Sequence, residues 1–460
     1  MSAPRTGAEQ LRSPSRGFRQ RCRSLLESEH RLIRLLVSEW ENPVSRGGVM
    51  LLANTAVTGV LGLAYWILAA RLYPQNSVGR AGALVSAATL LAGVGQLNLS
   101  GMLMRFLPRA KERSKSLVWI TYGTAAATAV ALTAIAALLV GLLVEQSELR
   151  LSPGVAVLFT LSVAATVVFT LQDSVLIAVR KTHWVPIENG AFGVAKILLL
   201  VGFASLAGWG AIFASWMLPL IAIVPVITWL LFRRVLPARV AGGELRPLRT
   251  ATKRQIRQFV LGDATAGVFT QGWTYLLPVL VATTISASAN ALFYTAFLFS
   301  STIDQIAANF SSALVVEGAH NQSSLAQLVR VTMRRIYAFL LPAVACIVIL
   351  APFVMRIYGP DYEAGAATLR LLALASIPKA TLAVYYAICR VRHQTHRSAI
   401  LQGLSCFGIL GGALLVSGEG LTAIAAVVLG VQLFLAALVL PAFIGLTKGD
   451  EHLAAEGAAT

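Results

Sequence analysis

The chain breaks into about twelve apolar stretches, each long enough to cross a bilayer as a helix, which takes roughly 20 residues. Positive charge alternates between them. With the amino terminus placed in the cytoplasm, Arg71, Arg80, Arg150, Arg356 and Arg370 fall outside and Lys196 and Lys379 fall within spans. All the rest of the 38 Lys and Arg residues fall in cytoplasmic segments. That asymmetry is the positive-inside rule. It predicts a multi-pass protein of the cytoplasmic membrane with both termini cytoplasmic. It also makes the net charge of +18 a topology signal. No folded soluble domain is left to present that charge to a nucleic acid, so no nucleic-acid partner is expected.

Composition agrees. Hydrophobic residues make up 57% of the chain and charged ones 13%, with a mean hydropathy of +0.72. A soluble enzyme of 460 residues could not cover so much apolar surface. Cys22, Cys346, Cys389 and Cys406 put no pair in an outer loop, so no disulfide framework is expected. His393 and His396 share a loop without a nearby Cys or carboxylate, so neither a metal site nor a cofactor is predicted. There is no phosphate-binding glycine loop, which argues against ATP hydrolysis.

Residues 1–46 form a basic tail with arginines spread among Ser, Gly and Pro. Within it Leu25, Leu26, Leu32, Ile33, Leu36 and Trp40 recur at helical spacing. They predict an amphipathic helix, lying on the inner leaflet or packed beneath the bundle. The first apolar run begins only at Gly47, too late for a cleavable signal peptide. The first group of spans is expected at 47–70, 81–104, 117–144, 154–179, 189–207 and 211–232. The second is expected at 259–283, 291–316, 336–354, 371–388, 399–416 and 421–446. A basic break at 233–258 separates segment 47–232 from segment 259–446, and a short tail, 447–460, follows. Division into six and six is the pattern of a two-bundle transporter.

An ionisable side chain within a span costs about 2.5–3.5 kcal/mol on insertion scales, so each is a functional candidate. Asp173 and Lys196 lie on consecutive antiparallel spans at similar expected depth. They are read as a structural pair, or Lys196 faces the bundle interior and offers charge to an anionic headgroup. Asp304 and Lys379 are near the middle of the eighth and tenth spans. Ser301, Gln305, Asn309 and Ser312 make a polar stripe on the eighth, which must face protein or water. Asp263, near the start of the seventh span, suits an interfacial role. Arg105, at the end of the second, is either an ordinary positive-inside residue or the cationic lip of a cavity. Pro219, Pro225, Pro278, Pro342, Pro352 and Pro378 lie within spans and permit kinks; Pro378 directly precedes Lys379.

The segment Ala69-Ala-Arg-Leu-Tyr-Pro-Gln-Asn-Ser-Val-Gly-Arg, followed by Met104-Arg-Phe-Leu-Pro, resembles the opening of polysaccharide flippases of the Wzx type. So does Arg356-Ile-Tyr-Gly-Pro-Asp-Tyr-Glu. These flippases belong to the multidrug/oligosaccharidyl-lipid/polysaccharide exporter superfamily, and the resemblance runs from about Pro43 to Leu446. It implies an all-α polytopic membrane protein, with about twelve helices in two six-helix bundles around a central cavity. It further implies alternating access, a bacterial cytoplasmic membrane and a polyprenyl-pyrophosphate-linked oligosaccharide as substrate. Beyond membrane lipids, the partners so implied are the polymerase and glycosyltransferases of surface polysaccharide synthesis. The cavity candidates are Lys379, Lys196 and Arg105 with Asp304, Gln305 and Asn309; Asp173 and Asp263 are structural or coupling candidates. Three readings stand against this one. A drug or cation antiporter of the same superfamily would use Asp173, Asp263 and Asp304. A membrane glycosyltransferase or polymerase is disfavoured by the short outer loops. A non-transporting scaffold would use the basic tail.

Overall fold

The computed structural model describes residues 43–97, 99–110, 113–143, 152–206, 208–236, 253–320, 325–392 and 394–458. The amphipathic stretch at 25–40, most of the basic break, Cys22 and His393 lie outside the described residues. Regular structure among the described residues is entirely helical.

The first half holds α1 (Pro43–Leu72), α2 (Gln75–Gly95), α3 (Leu99–Phe106), α4 (Ser114–Leu143), α5 (Pro153–Ala178), α6 (Trp184–Gly202) and α7 (Trp209–Leu230). A π turn, Leu231–Val235, extends α7. The second half holds α8 (Lys253–Thr284), α9 (Ala287–His320), α10 (Leu325–Tyr358), α11 (Ala366–Val391), α12 (Thr395–Leu415) and α13 (Leu421–Ala458). Ten of these helices are long and apolar enough to cross a membrane. The other two long ones, α8 and α9, complete the twelve and include the helix that carries the polar stripe. The chain is thus an all-α polytopic membrane protein.

Lipid cannot satisfy a hydroxyl, and α4 shows how the sequence meets that limit. Thr121, Thr124, Thr128 and Thr133 each donate to the carbonyl four residues back, at 2.7–2.8 Å. The expected prolines all sit inside helices, in α7, α8, α10 and α11.

Two expectations need correction. The second span, read as continuous over 81–104, is broken into α2 and α3. Leu97, at φ 47°, ends the first piece in a left-handed turn. The break is tied down by Gln96 Nε2 donating to Ser100 Oγ at 2.6 Å and by Ser174 Oγ donating to the same oxygen at 2.8 Å. The outer loop expected at 356–370 shrinks to a 3-10 turn, Pro360–Gly365, because α10 and α11 continue past their apolar cores. Gly359 makes this tight exit possible with φ 155°.

The helices of each half pack chiefly on one another: α1 on α6, α4 on α5 and α6 on α7; then α9 on α11, α8 on α12 and α11 on α13. The halves meet where α2 lies against α8 and α9. An aromatic core of Tyr65, Trp66, Trp273, Tyr294 and Phe297 runs across that junction. One end of the molecule carries the basic turns, with Arg180, Lys181 and Arg392; this is the basic face, and the other the opposite face.

The two halves are clamped together at the opposite face. There Gly79 of α2 lies so close to α9 that a Cβ would stand 1.7 Å from the Ala287 carbonyl oxygen. Asn290 Nδ2 donates to the Gly79 carbonyl at 2.7 Å. Arg71, at the end of α1, reaches across to donate to the Ile357 and Arg356 carbonyls at 2.9 and 3.0 Å. Any side chain at position 79 must therefore pry α2 from α9. Ala291 is fully buried in this contact. A cysteine placed there, in a background without the native cysteines, is expected to react slowly with a maleimide in detergent. Adding Gly79→Leu is expected to speed the reaction at least tenfold; an unchanged rate would refute the clamp.

Candidate functional site

Among the described side chains, charge within the expected spans gathers in two places, one per half. In the second half, α9 presents Asp304 and α11 presents Lys379, directly after Pro378. Lys379 Nζ donates to Asp304 Oδ2 at 3.0 Å. The ammonium also stands 5.3 Å from the centre of the Trp273 ring of α8. The pair lines a cavity of about 230 Å³, together with Thr270, Trp273, Tyr386 and Gln402. The walls come from α8, α9, α11, α12 and α13, so this cavity opens within the C-terminal bundle. Amides and hydroxyls surround the charges. Thr270 donates to Gln402 Oε1, Gln402 Nε2 donates to Ser398 Oγ at 2.7 Å, and Gln432 Nε2 donates to Ser405 Oγ at 3.0 Å. The second carboxylate oxygen of Asp304 is buried without a partner. The site thus holds a neutralised charge pair with spare hydrogen-bonding capacity beside open volume.

The polar stripe on α9 does not share this cavity. Gln305, Asn309 and Ser312 are exposed, whereas Asp304 turns inward to Lys379. Neighbouring residues on a helix point about 100° apart. The stripe lies on the part of α9 beyond its contact with Gly79 and Gly82.

In the first half the expected Asp173–Lys196 pair does not form. Asp173 accepts instead from Asn189 Nδ2, at 3.2 and 3.3 Å to its two oxygens. Lys196 is 5% exposed and sits in an aromatic box. Its Nζ is 3.7 Å from the Trp216 ring centre, 5.0 Å from Phe192 and 5.2 Å from Tyr65. The reason is depth. Helix α6 starts at Trp184, before the expected start at Asn189. At 1.5 Å per residue Lys196 is about 18 Å along its helix, while Asp173 is about 8 Å from the end of α5. Desolvated cation–π contacts, worth about 2 kcal/mol or more, take the place of the ion pair.

The sequence reading passed over Glu188 and Tyr122. Glu188 is 2% exposed with neither carboxylate oxygen hydrogen-bonded, and the Tyr122 hydroxyl is likewise buried and unpartnered. Glu188 fell just outside the expected span, so its burial carried no signal. Arg105 falls on α3 and Asp263 on α8. Their side chains lie outside the described residues.

No protein-family model matches the chain, and no curated protein does. Solved structures do match in fold. An inward-facing multidrug resistance MATE family transporter of the MOP superfamily is 17% identical, covering 88% of this chain and 98% of its own, with a TM-score of 0.62. An outward-facing structure of a MATE transporter of that superfamily is 16% identical, covering 89% and 96%, with a TM-score of 0.61. The lipid II flippase MurJ in an inward closed conformation is 12% identical, covering 87% and 90%, with a TM-score of 0.64. The chain therefore has the fold of these transporters along most of its length.

Two double-mutant cycles separate the two charge clusters. Asp304→Asn and Lys379→Gln should each lower thermal stability in detergent, by about 1–3 kcal/mol, by leaving a partly buried partner unsatisfied. The double change should recover much of the loss. Asp173→Asn and Lys196→Gln should instead add within about 0.5 kcal/mol, as separated sites do. Strong coupling of Asp173 to Lys196 would contradict the aromatic box.

Proposed function

We propose that the chain is a flippase that moves a polyprenyl-pyrophosphate-linked oligosaccharide across a bacterial cytoplasmic membrane by alternating access. The observation that carries this reading is the Lys379–Asp304 pair in its cavity of about 230 Å³. Such a substrate has a polar anionic head that cannot cross hydrocarbon unaided and a tail that need not leave it. Lys379 supplies the cation for the pyrophosphate. Asp304 holds that cation until the head competes for it, and the surrounding amides and hydroxyls, with Trp273, suit a sugar. The exposed stripe of Gln305 and Asn309 gives the head a wettable wall along α9. A fold shared with a lipid II flippase supports the reading without naming the sugar. With both termini cytoplasmic, the basic face meets the compartment where lipid-linked sugars are assembled. Glycosyltransferases would then supply the substrate on that face and a polymerase would take it on the other.

A drug or cation antiporter is the second reading. The fold shared with multidrug transporters, the half-buried Asp173 and the buried Glu188 favour it. The test distinguishes the two. Lys379→Gln at normal membrane abundance should abolish export of surface polysaccharide. It should also cause a lipid-linked intermediate to build up on the inner leaflet, detected by mass spectrometry. Lys379→Arg should keep part of the activity, since charge persists while shape changes. Full export by Lys379→Gln would end the assignment. Drug sensitivity on deletion, with no lipid intermediate, would favour the antiporter.

A further inference from the structure

The C-terminal half carries a charge on its outer surface that the flippase reading does not use. Arg370 lies in the second turn of α11 and is exposed. Its Nε donates to the Val348 carbonyl of α10 at 3.0 Å. The uncharged run of α10 between Arg335 and Arg356 is about 30 Å long at 1.5 Å per residue, the thickness of the hydrocarbon core. Val348 lies about 12 Å inside Arg356 on that run. Around it α10 exposes Ile349, Leu350 and Phe353, at 74, 44 and 66%. Arg370 is therefore a cation held on a surface that faces lipid, below the end of the helix at the opposite face.

Proline explains one part of this contact. In an unbroken helix the Val348 carbonyl would accept from the backbone N–H at position 352. That position is Pro352, inside α10, and it has no N–H to give. Arg370 supplies the missing donor from the neighbouring helix. The same bond fixes where the guanidinium sits, because it ties Nε to a rigid backbone atom.

The charge is not explained by that role. Neutral side chains commonly satisfy a carbonyl freed by proline in a membrane helix, whereas an arginine facing hydrocarbon is costly. A guanidinium has five N–H donors, and only Nε–H is used here. Among the described residues the other four have no partner, and no carboxylate comes within 4.0 Å of Arg370. Glu363 is taken by Arg356, which donates to its two oxygens at 2.7 and 2.8 Å. Asp361 and Glu419, in the turns at the opposite face, are exposed and outside any ion pair. On α9, which packs on α11, Asp304 is held by Lys379. On α13, the other large neighbour, no carboxylate occurs before Asp450.

A cation so placed needs an anion, and the protein offers none. We infer that Arg370, at the seam of α10 and α11 beside Pro352, is a binding site for the phosphodiester of a phospholipid in the leaflet at the opposite face. The spare N–H groups form a planar fork that matches two phosphate oxygens. The acyl chains lie along the exposed apolar side chains of α10. Headgroups reach an arginine at this depth by local thinning of the bilayer and by extension of the side chain. A phospholipid supplies the anion and the apolar tails together, which a free phosphate does not. The site stands on the outer wall of the bundle, so the inference is independent of what the carrier moves.

Native mass spectrometry of the full chain in detergent tests this, by titration with phosphatidylglycerol and, separately, with the diacylglycerol of the same chains. Arg370→Gln should weaken one bound phosphatidylglycerol about fivefold and leave diacylglycerol binding unchanged. Loss of the Val348 bond could unsettle that variant, so the decisive comparison is made in a second background. Pro352→Ala restores the backbone N–H to the Val348 carbonyl and frees Arg370 from its structural role. Pro352→Ala alone should keep the phosphatidylglycerol affinity of the wild type. Pro352→Ala with Arg370→Gln should match it in thermal stability and still lose about fivefold in that affinity. Equal affinity in these two variants would overturn the inference and leave Arg370 a backbone donor only. Displacement of the lipid by excess inorganic phosphate would also overturn it, by making the site one for a free anion.

Discussion

Hydrocarbon offers no hydrogen bonds, so every polar group carried into the membrane must find its partner within the protein. Most of this architecture follows from how that demand is met. Threonines on α4 donate to their own helix, and Gln172 ties α5 to α7 through the Val224 carbonyl and the Thr228 hydroxyl, at 2.8 and 2.9 Å. Lys379 takes Asp304, and Lys196 takes three ring faces in place of a carboxylate. The demand is not met everywhere: Gln172 Oε1 and the Tyr358 and Tyr362 hydroxyls are among several buried polar atoms without a partner. Of these, the free oxygen of Asp304 lies beside the Lys379 ammonium, the charge that the proposed function uses.

The contact between the halves obeys a different rule, that of close backbone approach. Small residues let α2 and α9 touch near the opposite face, as in many membrane helix pairs. The bonds that cross there use backbone carbonyls as acceptors. Arg71 caps the last carbonyls of α10 from another bundle, satisfying groups that a helix end leaves unpaired and placing a cation at its negative pole. Beyond that clamp α9 shows water-compatible residues instead of small ones. One helix therefore supplies a dry seal over its first three turns and a polar wall after them. On the alternating-access proposal this combination would let the halves part on one side while remaining joined on the other.

Much of this was legible in the chain. Long apolar runs and alternating basic turns mark the spans, because both signals are averages over many residues. The Asp304–Lys379 contact was legible too, since both residues sit mid-span, where a charge has few alternatives to a partner. What was hidden depended on single residues. Nothing in Leu97 announces a left-handed turn, a conformation usual for Gly or Asn. The start of α6 at Trp184 turns on a short stretch, Trp184-Val-Pro-Ile-Glu, whose proline and carboxylate read as a connecting segment. That shift both buries Glu188 and separates Lys196 from Asp173. Gln305 was grouped with Asp304 because they are adjacent in sequence, yet the helical turn between them sends one outward and the other into the bundle.

The Lys379–Asp304 pair answers an electrostatic demand that any carrier of an anion would meet. A cavity that binds an anion needs a cation, but an empty carrier must also return, and a lone buried charge would make that return costly. Pairing Lys379 with Asp304 removes the net charge from the empty cavity. Two unit charges about 4 Å apart in a partly hydrated site attract by about 4 kcal/mol, which an incoming pyrophosphate must exceed. A neutral or singly charged solute gains little by displacing Asp304, whereas a diphosphate gains more than it displaces. On the flippase proposal the resting pair would be a filter as well as a counter-ion, with its selectivity set by the charge on the solute.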